Sequence, residues 1–203
     1  TRAPEPTSDQ SKVIESVGKA LNQGFSQHLL FGVTGSGKTE VYLQLAARVL
    51  AAGRSVLYLV PEISLTPQTG GRIVARLPND RMAILHSGLT AAQRHEQWIV
   101  ASHPGPKIVI GARSAVFAPI PDGELGLIIV DEEHETSYKQ DEKPRYHARH
   151  AALIRGRENK AVVMLGSATP DLESMVNALD GRFELLELPD RMGGELPTVE
   201  VVD

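Results

Sequence analysis

Short apolar runs alternate along this chain with longer stretches in which apolar residues recur every three or four positions. The runs lie at His28–Val33, Val56–Val60, Met82–His86, Lys107–Ile110, Leu127–Asp131, Ala161–Leu165 and Phe183–Leu188. They are aliphatic and β-branched with little polar alternation, which is the pattern of strands covered on both faces. Helical spacing fills the gaps at Ser8–Asn22, Lys38–Ala52, Ile63–Leu77, Thr90–Ser102, Tyr146–Arg157 and Asp171–Leu179. Ser8 and Thr90 suit N-caps, and Gly24 and Gly53 suit helix stops. Trp98, with Ile99 and Val100, reads as the buried face of its helix. Strand–helix alternation of this kind predicts an α/β fold, a mostly parallel sheet with helices on both faces.

Composition narrows the classes. With 203 residues, 41% of them apolar, the chain suits one domain with a sizeable core. No stretch approaches the ~20 apolar residues of a membrane span. There is no cysteine, so disulfides and thiolate metal sites are excluded within these residues. A net charge of −4 argues against an all-over basic coat and leaves room for a local basic patch. The expected organisation is a linker over 1–7, a compact domain over 8–188 and an exit segment over 189–203. The chain opens on Thr1 rather than Met, so a longer parent protein is expected.

The most specific signal is Gly32-Val33-Thr34-Gly35-Ser36-Gly37-Lys38-Thr39, a full G-x-x-x-x-G-K-[ST] phosphate loop. It follows a predicted strand and opens a predicted helix, the context that gives the motif its meaning. Gly32, Gly35 and Gly37 let the backbone curl until successive N–H groups face phosphate oxygens, with the helix N-terminus behind them. Lys38 then supplies a cation to the β- and γ-phosphates of ATP, and the Thr39 hydroxyl a ligand for Mg²⁺. Thr34, Ser36 and Glu40 complete the expected nucleotide contacts.

A second signal is Leu127-Ile128-Ile129-Val130 running into Asp131-Glu132-Glu133-His134. Carboxylates at the end of an apolar strand stand at the sheet edge where ligands of α/β proteins collect. Asp131 is placed to hold Mg²⁺, and Glu132 to orient or deprotonate an attacking water. Further on, residues 137–149 interleave aromatic, basic and amide side chains. Tyr138 or Tyr146 suits base stacking, with Lys139, Arg145 and Arg149 neutralising phosphate.

The phosphate loop, the Asp-Glu-Glu-His box and Gly166-Ser167-Ala168-Thr169-Pro170, in that order, resemble the first motor lobe of superfamily 2 helicases. The words Leu59–Gln68, His86–Leu89, Gly111–Pro119 and Ser137–Gln140 resemble the replication-restart DNA helicases within that group. The resemblance implies a RecA-like P-loop NTPase lobe in a 3′→5′ DNA helicase, with ATP hydrolysis coupled to unwinding in the full-length protein. It implies that Gln10 reads adenine, and that Ser64, Thr66, Gln68, His86, Ser87, Arg113 and Ser114 face single-stranded DNA. His134, Ser167 and Thr169 would then couple the DNA and nucleotide sites. The implied partners are DNA forks, single-stranded DNA, other primosome proteins and single-stranded DNA-binding protein, in the bacterial cytoplasm and without a membrane. Zinc is expected only in parts of the full-length protein outside this chain, and the lobe alone is expected to be largely inactive. The residues themselves leave open another superfamily 2 translocase, an RNA helicase, or a docking module indifferent to nucleotide.

Overall fold

The computed structural model describes residues 5–62, 73, 75–77 and 81–192. In chain order these form α1 (Ser8–Ala20), β1 (Ser26–Gly32), α2 (Lys38–Ala51), β2 (Ser55–Leu59) and β3 (Met82–Leu85). Then come α3 (Ala91–Ser102), β4 (Ile108–Gly111), β5 (Leu125–Asp131), and a hairpin of β6 (Lys139–Gln140) with β7 (Tyr146–His147). The order closes with α4 (Ala148–Asn159), β8 (Val162–Ser167), α5 (Leu172–Leu179) and β9 (Glu184–Leu188).

Seven strands build one sheet in the order β3-β4-β2-β5-β8-β1-β9, and every described pairing in it is parallel. Alternate residues feed two cores. Val56 and Tyr58 of β2 join the apolar faces of α1 and α2, while Leu57 and Leu59 join the core shared with α3, α4 and α5. Burial on both faces explains why these strands read as unbroken aliphatic runs. Because all strands point one way, their carboxyl ends share a single edge. β8 lies between β1 and β5, so the loops that follow these three strands are neighbours, and the loops after β3 and β4 lie toward the other side of the sheet.

Local details differ from the sequence reading in three places. Helix α1 is capped by Thr7 rather than Ser8, through a reciprocal capping box with Gln10. Tyr146 and His147 do not open α4 but pair with Gln140 and Lys139, and the His147 ring caps the helix by accepting from the Arg149 N–H. Trp98 and Ile99 are not core residues: the buried residue of α3 is Ala101, and Trp98 is 40% exposed. The α3 helix lies along the edge strand β3, where Gln97 Oε1 accepts the Ile84 N–H at 2.8 Å and so satisfies an unpaired strand donor. Thr90 caps α3 as expected, in a box with Gln93. The helix expected over Ile63–Leu77 and the residues Ser64, Thr66 and Gln68 fall outside the described residues, apart from 73 and 75–77. No helix among the described residues is long and apolar enough to cross a membrane.

Candidate functional site

β1 runs through Gly32 into the phosphate loop, and Gly37 is the N-cap of α2. Gly37 has φ of 83°, and a side chain there would collide with the Gln10 amide and the Met192 sulfur, so two independent constraints require glycine. At Gly32 the constraint is space, since a Cβ would stand 2.7 Å from Ser36 Oγ and 3.2 Å from Lys38 Cγ. Lys38 is 8% exposed; its Nζ donates to the Gly32 carbonyl at 2.8 Å and lies 3.8 Å from Glu132 Oε1. Ser36 Oγ is buried without a hydrogen-bond partner among the described residues. The loop, Asp131, Glu132, Arg76 and Met192 surround a cleft of about 580 Å³. An orphaned hydroxyl, a cradle cleared of side chains and a helix N-terminus fit a phosphate group. Thr39 and Asp131, both on the cleft, offer the oxygen donors that Mg²⁺ prefers.

The acidic box faces the same cleft. Asp131 ends β5, with the Tyr58 hydroxyl 3.4 Å from Oδ2 and the Glu132 N–H donating to Oδ1 at 3.1 Å. Burial, and then the negative charge of Glu132, push the Asp131 carboxyl up to about 6, partly opposed by the Lys38 cation. Burial and the neighbouring carboxylates push the hydroxyls of Tyr42, Tyr58 and Tyr138 well above their usual range, so all three remain protonated. Glu132 has φ of 46°, the left-handed region, and its carboxylate lies between Lys38 and His134, 3.7 Å from His134 Nδ1. His134 Nδ1 in turn lies 2.7 Å from Ser167 Oγ at the end of β8, and the Thr169 N–H donates to that hydroxyl at 2.9 Å. A continuous polar path therefore crosses the ends of β1, β5 and β8.

Some expected ligands are occupied by the chain itself. Gln10 is fully buried; its Nε2 donates to the Ser36 carbonyl at 3.0 Å and contacts Met192 Sδ, while its Oε1 accepts from the Thr7 N–H. The amide expected to read adenine thus braces α1 against the loop. Glu40 is held by a two-pronged ion pair with Arg76, at 2.8 and 2.9 Å, and by Gln44. Met192 N–H donates to the Gly35 carbonyl, which lays the chain that follows β9 across the loop. Arg76 and Met192 were not visible as site residues, because nothing in their local sequence marks them.

Two residues assigned to DNA lie in the interior instead. Tyr138 is fully buried, and its hydroxyl donates to the Asp131 carbonyl at 2.7 Å, so it supports the acidic box and offers no face for stacking. Arg149 is buried and donates to Glu133 Oε2 and Glu173 Oε2, both at 2.8 Å. Glu133, itself buried, also accepts from Ser174 Oγ and from the Asp171 N–H. That third acidic residue of the box is a structural anchor.

The remaining DNA candidates do share an edge. His86 and Ser87 follow β3, Arg113 and Ser114 follow β4, and all four line a cavity of about 470 Å³ with Arg94, Trp98 and Phe117. Arg113 Nη1 reaches across to the carbonyls of Ser137 and Lys139 at 3.3 and 2.5 Å, tying this edge to the loop behind the acidic box. Lys139 and Arg145 are exposed, and both bond to Asp141, through its side chain and its carbonyl respectively. Tyr146 meets Phe117 edge-to-face at 4.8 Å between ring centroids.

The signature of the DEAD/DEAH box helicases matches residues 7–178. The chain belongs to that family. Within it, this helicase lobe is 46% identical over 201 residues to the replication restart protein PriA of Bacillus subtilis (strain 168), covering 97% of the chain and 24% of the relative. The PriA of Synechocystis is likewise 46% identical, over 209 residues covering the whole chain and 24% of the relative. The lobe spans about a quarter of the length of these curated relatives. Among solved structures, RecG bound to a three-way DNA junction superposes with a TM-score of 0.67 at 21% identity, covering 94% of this chain and 24% of that one. The Hef helicase domain of Pyrococcus furiosus gives 0.63 at 19% identity, covering 91% and 38%. At these identities the likeness establishes the α/β RecA-like fold, and membership of the helicase family carries with it, in general terms, the use of nucleotide and magnesium.

Proposed function

We propose that this chain is the ATP-binding motor lobe of a 3′→5′ DNA helicase that acts in replication restart. The full-length protein would couple ATP hydrolysis to unwinding at stalled or abandoned forks in the bacterial cytoplasm, in company with primosome proteins and single-stranded DNA-binding protein. Zinc belongs to regions outside this chain. One observation supports the reading above the rest. Lys38 of the phosphate loop and Glu132 of the acidic box, 94 positions apart, meet at 3.8 Å on a cleft that Asp131 also lines.

In this reading Lys38 leaves the Gly32 carbonyl to neutralise phosphate oxygens, and the N–H groups of residues 35–39 orient the triphosphate. Thr39 and Asp131 would hold Mg²⁺, which supplies charge neutralisation for the phosphates. Glu132 takes the role of orienting and deprotonating water, steadied by His134, and the His134–Ser167 bond links that carboxylate to the end of β8. Arg113 and the loop after the acidic box give DNA a route to the same carboxylates.

Calorimetric titration of the chain with a nonhydrolysable ATP analogue and Mg²⁺ tests the reading. Lys38→Ala is expected to weaken binding by roughly 2–3 kcal/mol, on the order of a hundredfold, the scale of a lost charge-assisted contact. Equal binding by the two proteins would reject the nucleotide site and favour a docking module.

A further inference from the structure

The cavity at the β3–β4 end carries chemistry that phosphate contacts alone do not require. Small hydroxyls and cations suffice to hold a sugar–phosphate backbone. Here two aromatic side chains stand in the wall as well, Trp98 at 40% and Phe117 at 53% exposure. Arg94 is one turn before Trp98 on α3, so both project from the same helix face. Its guanidinium makes no ion pair and no side-chain hydrogen bond among the described residues, although it lines the cavity. The Trp98 indole N–H is equally unpartnered there. Glu62 is the one carboxylate of the lining, against the two guanidiniums of Arg94 and Arg113. An unpaired cation beside an uncovered indole is the pairing that grips a nucleotide by its phosphate and its ring together. At about 470 Å³ the cavity is within the range of small-molecule sites.

We propose that this cavity is a base pocket. It takes one unpaired nucleobase of single-stranded DNA against Trp98 and Phe117, while Arg94 and Arg113 hold the flanking phosphates. The proposal rests on the reading of this edge as the DNA path, and adds to it a contact with the base itself. Since every base has a π face, the pocket is indifferent to sequence and sensitive to whether a base is present at all.

Trp98 is the sole tryptophan of the chain, so its emission reports on the pocket directly. The test compares an oligothymidylate with an abasic strand of equal length, following Trp98 emission and, separately, the anisotropy of end-labelled strands. Oligothymidylate is expected to quench Trp98 and shield it from acrylamide, and to bind roughly tenfold tighter than the abasic strand. Trp98→Ala should erase that tenfold preference, and Trp98→Phe should retain most of it. Arg94→Gln should weaken both strands alike and lower the salt slope by about one. Equal affinity for the two strands with unchanged Trp98 emission overturns the base pocket and leaves the DNA path standing, the rings then serving a protein contact. Failure of either strand to bind overturns both.

Discussion

The two ends of the sheet's carboxyl edge are built on opposite plans. Around the phosphate loop and acidic box most polar groups have partners within the chain: Lys38 on Gly32, Gln10 on Ser36, Glu40 on Arg76, His134 on Ser167 and Tyr138 on Asp131. At the β3–β4 end, Arg94 has no ion pair or side-chain hydrogen bond among the described residues, and Trp98 and Phe117 stand open. A site that stabilises charge during a reaction needs its groups fixed beforehand, so that little reorganisation is left for the reaction itself. A site that must release and regrip a moving strand gains nothing from internal bonds that each step would have to break. Arg113 is the described link between the two plans, exposed to the cavity and bonded to the loop behind the box.

The contrast can be broken at its most rigid point. Glu133→Ala would leave Arg149 buried without its main partner, and Ser174 and the Asp171 N–H without theirs. We expect a loss of roughly 3–5 kcal/mol, read as a lower urea midpoint at unchanged slope. A loss below about 1 kcal/mol would show that the box end is no better braced than the β3–β4 end.

A smaller and more informative effect is expected at Asp131. Its carboxyl titrates at about 6 when folded, above the ordinary value of 3.8, so the folded state holds this proton more tightly than the unfolded chain. The associated stability is complete below about pH 4 and is lost as the pH rises through about 6, by roughly 1–3 kcal/mol. Without nucleotide or Mg²⁺, Asp131→Asn should therefore melt increasingly above wild type between pH 4 and 7. With both ligands added, the order should reverse at pH 7, because the variant lacks the anionic oxygen. A constant difference across the pH range would remove the electrostatic strain assigned to this end.

The smallest effect is expected at the open end. Arg94→Gln should change the unfolding free energy by no more than about 0.5 kcal/mol, as for surface positions without partners. A larger change would mean that Arg94 is structural and that the two ends differ less than described.

The fold was legible because it is written in periodicity. All seven strands of the sheet were marked by aliphatic runs, and the phosphate loop by glycine spacing whose two causes, positive φ and close approach, operate within eight residues. What escaped depends on contacts distant in sequence. Arg149 and Tyr138 look like surface residues of a polar loop, and their burial follows from partners 16 and 24 positions away for the arginine and from the Asp131 carbonyl for the tyrosine. The β6–β7 ladder has two residues in each strand, too few for alternation to register. Trp98 misled through its hydrophobicity: α3 lies beside an edge strand and buries little of itself, so a large apolar residue there faces outward.

The backbone of Glu132 has a consequence of its own. A residue with a side chain held at φ of 46° carries strain on the order of 1 kcal/mol that glycine would relieve. Any hunt for hardier versions of this lobe will be drawn to that position, since the quickest gain in endurance is the removal of the side chain. If Glu132 activates water as proposed, the winner of such a hunt would outlast its parent in the heat and stand idle beside its fuel, a sturdier machine with its ignition taken out.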